Sequence, residues 1–291
     1  MNYRHQFHAG NFADVMKHAL LVALLRAMQK KEKGFLFLDT HAGRGGYDLA
    51  TAATGDTLAR QPEWPAGVGR LAGGSDLPAA VADYWQLVVE FSARAGGEPN
   101  HLPRFYPGSP WFAQRLARPQ DRVVLSEKHP DEFLALASEF RAATRVAVLE
   151  MDGYTALRAT LPPAERRALT LIDPPFEQQD EFARIIGALS DGLKRLAGGV
   201  FAVWYPLTAR ARVDDFFDAV LGLRPPPTLF AELTIAGEDA PMKMKGCGLL
   251  VINPPWQFDR EAAAALAWLA PVLAQAPGGS QRVTWLVPEA G

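Results

Sequence analysis

Apolar positions along the chain fall into short continuous runs separated by longer stretches with helical spacing. Phe35–Asp39 is the first such run. Val123–Leu125, Val146–Leu149, Leu169–Ile172 and Val200–Trp204 follow, then Leu229–Ile235, Gly248–Ile252 and Val283–Val287. Runs without polar alternation read as strands buried on both faces. Between them lie helical patterns over about 12–31, 77–95, 130–142, 180–196, 213–220 and 260–274. Asn11 is placed to cap the first helix, with Asp14 in its opening turn where an acid suits the dipole. Strands and helices in alternation predict a parallel sheet covered on both faces, a doubly wound α/β fold. Residues 47–104 break this rhythm. Gly, Pro and Ala are frequent there, and the one clear helix carries Val81, Tyr84, Trp85, Val88, Val89 and Phe91 at helical spacing. The segment reads as a helical insertion, leaving 1–46 and 105–291 as the main domain.

Composition narrows the class more than the fold. With 48% apolar and 21% charged residues, the chain reads as an ordinary globular protein. Cys247 is its single cysteine, which excludes an intrachain disulfide and a cysteine-based zinc site. Its place in an apolar strand reads as an inert core thiol. No run reaches the roughly 18–20 apolar residues of a membrane span. Ala19–Leu25 lacks the flanks of a signal peptide. A cytoplasmic, membrane-free protein is expected. The net charge of -2 excludes a generally basic binder. Even so, the first 46 residues hold seven Lys and Arg against three acids. That excess reads either as a solvated helix face or as a local rim for a polyanion. His5, His8, His18 and His41 fall there too, but no carboxylates accompany them at ligand spacing, so no metal site is expected.

Chemistry in a doubly wound sheet belongs at the carboxyl ends of the strands. Five strand ends carry informative residues: Asp39–Gly46, Glu127, Asp152–Gly153, Asp173–Phe176 and Tyr205–Pro206. The glycine turn around Gly43 lets backbone approach a ligand, and it is neither a Walker loop nor a full dinucleotide fingerprint. Glu127 stands where an acid commonly binds ribose hydroxyls, or it is a surface carboxylate. Asp152 either accepts from an adenine amino group or caps the next helix. Asp173-Pro-Pro-Phe176 is the sharpest signal. Its two prolines fix the backbone and remove donors, so Asp173 and the Pro174 carbonyl can both accept from an exocyclic amine. Phe176 can stack on the base, or simply fill the core. Asn253-Pro-Pro-Trp256 has the same design but comes three strands later, and reads as structural or as part of a substrate rim.

These residues bring a family into view. Tyr3–Asn11, Asp14–His18, Leu38–Gly43, Tyr106–Pro110, Ile172–Pro175, Trp204–Pro206 and Val251–Trp256 together resemble the RlmJ family of 23S rRNA adenine-N6 methyltransferases. The resemblance covers nearly the whole chain. It implies a Rossmann-like class I S-adenosylmethionine-dependent methyltransferase fold with a small helical subdomain at 47–104. It implies S-adenosylmethionine contacts at His18, His41, Gly43, Ser109, Glu127, Asp152, Gly153 and Asp173, and catalysis by Asp173, Pro174 and Phe176. It also places Tyr3 and Arg4 over the target base. Lys17 and the lysines at 30, 31 and 33 are expected on RNA phosphate. The partner would be 23S rRNA, deproteinised or early in assembly, met by a monomer. The family usually has Tyr where Phe176 stands, which keeps stacking and loses a hydroxyl. Arg44 has no evident place. A DNA adenine-N6 methyltransferase and a non-catalytic RNA-binding module remain alternatives. A nicotinamide dehydrogenase lacks support without the dinucleotide glycines.

Overall fold

The structure, a computed structural model, describes residues 7–51, 61–98 and 102–289. In chain order the strands are β1 (Leu36–Asp39), β2 (Gly46–Asp48), β3 (Phe105–Pro107), β4 (Arg122–Glu127), β5 (Val146–Glu150), β6 (Ala168–Ile172), β7 (Val200–Leu207), β8 (Thr228–Thr234), β9 (Gly246–Ile252) and β10 (Ser280–Val287). The helices are α1 (Phe12–Gln29), α2 (Ala79–Arg94), α3 (Ser109–Leu116), α4 (Pro130–Glu139), α5 (Gly153–Thr160), α6 (Glu181–Arg195), α7 (Arg210–Gly222) and α8 (Phe258–Leu273).

Eight strands form one sheet in the order β10-β8-β9-β7-β6-β1-β4-β5. From β5 to β7 every neighbouring pair is parallel. The expected parallel sheet stops there. β9 runs antiparallel to β7, β8 antiparallel to β9, and β10 antiparallel to β8. Apolar runs cannot reveal this, because a buried strand looks the same in either direction. β2 and β3 make a separate antiparallel pair. They escape periodicity because each spans three residues. Tyr205 and Pro206 lie inside β7, not beyond it.

Strand residues alternate between two cores. Phe37, Val123, Leu125, Leu169 and Leu171 face α1, α2, α3 and α8. Leu36, Leu38, Val124, Ile172 and Val203 face α5, α6 and α7. Both sides of the central strands are therefore dry, which is why their sequences are mostly apolar, while the edge strands β5 and β10 stay partly exposed.

The first helix is not the half-exposed surface helix its lysines suggest. Every residue from Phe12 to Leu25 is buried. The cause is the segment after β1, whose α2 and the following α3 pack on α1 from outside the sheet. Asn11 does cap the helix, its side chain accepting from the Asp14 amide at 2.9 Å. Two 3-10 turns at Trp64–Ala66 and Val68–Leu71 hold the chain entering α1. There the Val68 amide donates to the Gly10 carbonyl at 2.8 Å, and Glu63 accepts from Asn11 Nδ2 at 2.8 Å.

One glycine sets how close α5 can come. A Cβ at Gly153 would sit 2.0 Å from the Thr40 carbonyl oxygen. The backbone of α5 thus rests on the turn after β1, and no larger residue fits without moving one of them. Gly153→Ala is expected to destabilise the protein by at least about 2 kcal/mol, the scale of an overpacked core site. Urea unfolding of both proteins checks this; equal midpoints would show that the two elements shift freely.

Candidate active site

The carboxyl edge of β1, β4, β5 and β6 gathers most of the expected residues. The turn after β1 reverses the chain through Gly43 at φ +60 and Gly45 at φ +88, a region that glycine enters without strain. The Gly43 amide donates to Glu127 Oε2 at 2.9 Å, and the His129 amide donates to Glu127 Oε1 at 2.7 Å. Glu127 is thus no loose surface carboxylate. It is fixed by two backbone donors and braces the glycine turn to the end of β4. Arg44 finds its place on the outer side, where it makes a two-pronged contact to Glu132 of α4 at 2.5 and 2.9 Å.

Asp152 caps α5, with Oδ1 accepting from the Thr155 amide at 3.2 Å. Its Oδ2 pairs with Arg184 of α6 at 3.2 Å. Arg184 also lies 4.7 Å over the Tyr154 ring, and the residue pattern gives no sign of it. Beside them, Thr40 Oγ1 donates to the Leu171 carbonyl at 3.0 Å and meets His41 Nδ1 at 2.8 Å. The hydroxyl thereby fixes the orientation of the His41 ring. Burial lowers the His41 pKa to about 4, so the ring is neutral near pH 7.

Asp173 follows β6 directly. Its Oδ2 accepts from Lys17 Nζ at 2.6 Å, and Lys17 also reaches Asp14 Oδ1 at 2.9 Å. The Lys17 side chain is only 7% exposed. Burial works against its charge, but the two carboxylates outweigh burial and raise its pKa well above the usual lysine value. That geometry corrects the expectation of a phosphate contact: Lys17 is directed inward, onto carboxylates. Asp14–Lys17 is a legible i,i+3 pair; the third member, 156 residues away, is not. Asp173 Oδ1 has no hydrogen-bond partner among the described residues. Pro174 is buried behind it, and Phe176 sits half-buried at φ +51. T-shaped contacts to Phe182 at 5.1 Å and Trp204 at 5.8 Å fix its ring.

Asp39, at the end of β1, is fully buried. The His41 amide donates to its Oδ1 at 3.2 Å, and its Oδ2 has no hydrogen-bond partner. Burial pushes its pKa up to about 7, helped by the charge of Asp173; nearby Ser109 opposes this without completing a hydrogen bond to Oδ2. Ser109 is itself buried at the start of α3. An orphaned acceptor beside a glycine turn is the arrangement a cationic amino group would complete. His18 lies deeper, with Nδ1 2.8 Å from the Tyr106 hydroxyl and its ring against Phe112.

Some expected residues are elsewhere. Tyr3 and Arg4 lie outside the described residues. The lysines at 30, 31 and 33 follow the far end of α1, at the edge where the parallel strands begin. Lys30 pairs with Glu261 at 3.1 Å and Arg26 with Asp83 at 3.0 Å. Among the described residues, the basic excess of the first 46 residues is therefore not a rim of this site. Asn253–Trp256 is also on the far edge, because β9 is antiparallel: Ile252 pairs with Phe201 near the start of β7. The substrate-rim reading of that motif is thereby overturned.

Among the described residues no group of three His, Cys, Asp or Glu side chains could hold a metal, and no helix is long and apolar enough to cross a membrane.

Residues 32–287 match the family model described as "Ribosomal RNA large subunit methyltransferase D, RlmJ". The chain belongs to the RlmJ family. Ribosomal RNA large subunit methyltransferase J of Escherichia coli (strain K12) is 37% identical over 99% of this chain and 100% of that protein. Its namesake in Haemophilus influenzae is also 37% identical over the same shares. The crystal structure of a Legionella pneumophila protein matches at 32% identity and TM-score 0.83, over 95% of this chain and 98% of that one. This RlmJ-family chain is accordingly a ribosomal RNA large subunit methyltransferase built on a mixed, mostly parallel central sheet.

Asp39 gives the site a pH signature. A carboxyl with a raised folded pKa binds more protons folded than unfolded, so stability falls as pH climbs from the unfolded value of about 4 to about 7. Asp39→Asn removes that loss. Urea melts at pH 5 and pH 8 should show the wild type losing stability relative to the variant between the two; parallel behaviour would place the Asp39 carboxyl in a wetter setting.

Proposed function

We propose that this chain methylates N6 of a specific adenine in 23S rRNA. The supporting observation is the end of β6. Asp173, the Pro174 carbonyl and Phe176 stand together where a planar amino-substituted base would have to lie, with Lys17 holding one carboxylate oxygen from behind.

When bound, S-adenosylmethionine supplies an electrophilic methyl on a cationic sulfonium. His41, Glu127, Asp152 and the backbone around Gly43 and Gly153 would line its place, with Asp39 and Ser109 near the glycine turn and His18 behind them. On the substrate side, the base leaves its stack and enters the cleft. Phe176 takes one face of the ring. Asp173 Oδ1 and the Pro174 carbonyl accept the two N6 protons. Accepting both turns the amine away from conjugation with the ring, so its lone pair points at the incoming methyl. It also stabilises the positive charge that develops on nitrogen, which is electrostatic preorganisation. Once nitrogen carries that charge its proton is acidic and passes to Asp173 or water. Lys17 is a positioning residue: it fixes Asp173 Oδ2 so that Oδ1 is presented to the base.

The reading is tested by incubating the protein with labelled S-adenosylmethionine and deproteinised 23S rRNA, then analysing nucleosides by mass spectrometry. N6-methyladenosine should form on rRNA and not on duplex DNA. Asp173→Ala should abolish it and, because it strands the buried Lys17 ammonium, lower the unfolding midpoint, so the assay is run at a temperature where circular dichroism shows the variant folded. Label on another nucleoside, or undiminished turnover by Asp173→Ala, would sink the assignment. Phe176→Ala should cost about 1–3 kcal/mol in kcat/KM for RNA, the scale of one lost base stack.

A further inference from the structure

The edge opposite the active site carries a feature that methyl transfer does not use. Trp256 is 69% exposed, more than any other exposed large hydrophobic residue among those described. It does not dangle. Pro254 and Pro255 stiffen the approach, and Asn253 anchors it: Nδ2 donates to the carbonyls of Ala197 and Gly199 at 2.8 and 2.9 Å, and its amide donates to the Pro227 carbonyl at 2.8 Å. Asn253 at φ +53 and Gln257 at φ +65 hold left-handed backbone on either side. A rigid loop thus displays an indole to solvent.

The same anchors bring cations around it. Lys194 and Arg195 end α6, just before Ala197. Arg224 precedes the Pro227 strand entry. Arg260 lies in the first turn of α8. All four are exposed, and none has an ion pair among the described residues. The dipole of α6 accounts for Lys194 and Arg195. It does not account for Arg260, which stands at the positive end of α8, where a cation is disfavoured. Of the acids beside it, Glu261 is taken by Lys30 at 3.1 Å, and Asp259 is the one that remains.

An exposed, preorganised aromatic ring, with unpaired arginines and lysines on the elements that anchor its loop, is an arrangement suited to a single strand of nucleic acid, by stacking a base and neutralising its phosphates. We propose that the β9–α8 corner is a second RNA contact, remote from methyl transfer, in which Trp256 stacks an unpaired base and Arg224, Arg260, Lys194 and Arg195 take the flanking phosphates. This deepens the RNA reading above and rests on it for the identity of the polyanion. A large structured RNA reaches past one edge of the sheet to the other, so the contact adds affinity without touching the reacting adenine.

The test separates this corner from the active site by using RNA without adenine. Full-length protein, free of cofactor, is titrated against a labelled, adenine-free oligoribonucleotide of roughly 16 nucleotides, read by fluorescence anisotropy across a salt series. Trp256→Ala should weaken binding about tenfold, and Trp256→Phe should restore most of it. Arg224→Ala with Arg260→Ala should lower the slope of log affinity against log salt by roughly 1.4. Trp256→Ala should still methylate a short target hairpin with wild-type kcat. Wild-type affinity in Trp256→Ala, or a salt slope untouched by the arginine changes, would overturn the proposal. The binding readout involves no methyl transfer, so a failure of the adenine-N6 reading would show as absent N6-methyladenosine with binding intact.

Discussion

The buried ammonium of Lys17 is the interaction on which the site depends. It lies between Asp14 of its own helix and Asp173 at the end of β6. Taking a lysine out of water is costly, and the cost is offset only with good partners on both sides. Two carboxylates at 2.6 and 2.9 Å meet that condition. The consequence is mutual dependence. Removing either partner would strand a buried charge, at about 3–5 kcal/mol. The pair therefore ties the start of α1, which precedes the whole sheet in sequence, to the strand end that carries Asp173. No backbone ladder could make that connection, since α1 lies across the sheet and not within it.

The rest of the molecule keeps this ammonium dry. Residues between β2 and β3 supply α2, which closes the outer face of α1, and the 3-10 turns clasp the chain at Gly10 and Asn11. Tyr84, Tyr106 and His18 form a hydrogen-bonded row against the same helix. A segment that sequence pattern marks only as an insertion thus converts a surface helix into a buried one. Inside that shell a hydroxyl is hard to ionise, and burial raises the tyrosine pKa values accordingly. The tyrosine hydroxyls here are fixed hydrogen-bonding parts of the wall, neutral and oriented.

The strand ends are legible because physics restricts them twice. Buried strands must be apolar, and ligands must lie past their carboxyl ends, so Asp39, Glu127, Asp152 and Asp173 stand out. Asn253–Trp256 shows where that reasoning runs short. Its residues mimic Asp173–Phe176 closely, and chain order favours Asp173 without saying where the second motif lies. The physical reason is direction: β9 runs antiparallel and turns its carboxyl end to the opposite edge, which residue patterns do not encode. The third partner of Lys17 and the contact of Arg184 to Asp152 are illegible for a related reason. Both are long-range pairs between residues whose local surroundings look ordinary. α5 and β2 are too short for periodicity to reveal, although the capping chemistry of Asp152 marks the start of α5.

Charge is where structure changes the picture most. A basic excess in the first 46 residues suggests a rim for RNA beside the active site. Folding divides that excess. Lys17 is drawn inward to carboxylates, Arg26, Lys30 and Arg44 pair with acids from other segments, and Lys31 and Lys33 are carried along α1 to the far edge. An 18-residue helix is about 27 Å long, so the two ends of one basic stretch face different environments. Selection of the proposed adenine then rests on shape, stacking and the two acceptors at Asp173 and Pro174. Attraction for the polyanion does not have to come from this basic stretch. The edge where α6 ends and α8 begins, with its unpaired arginines and lysines, has the charge to supply it.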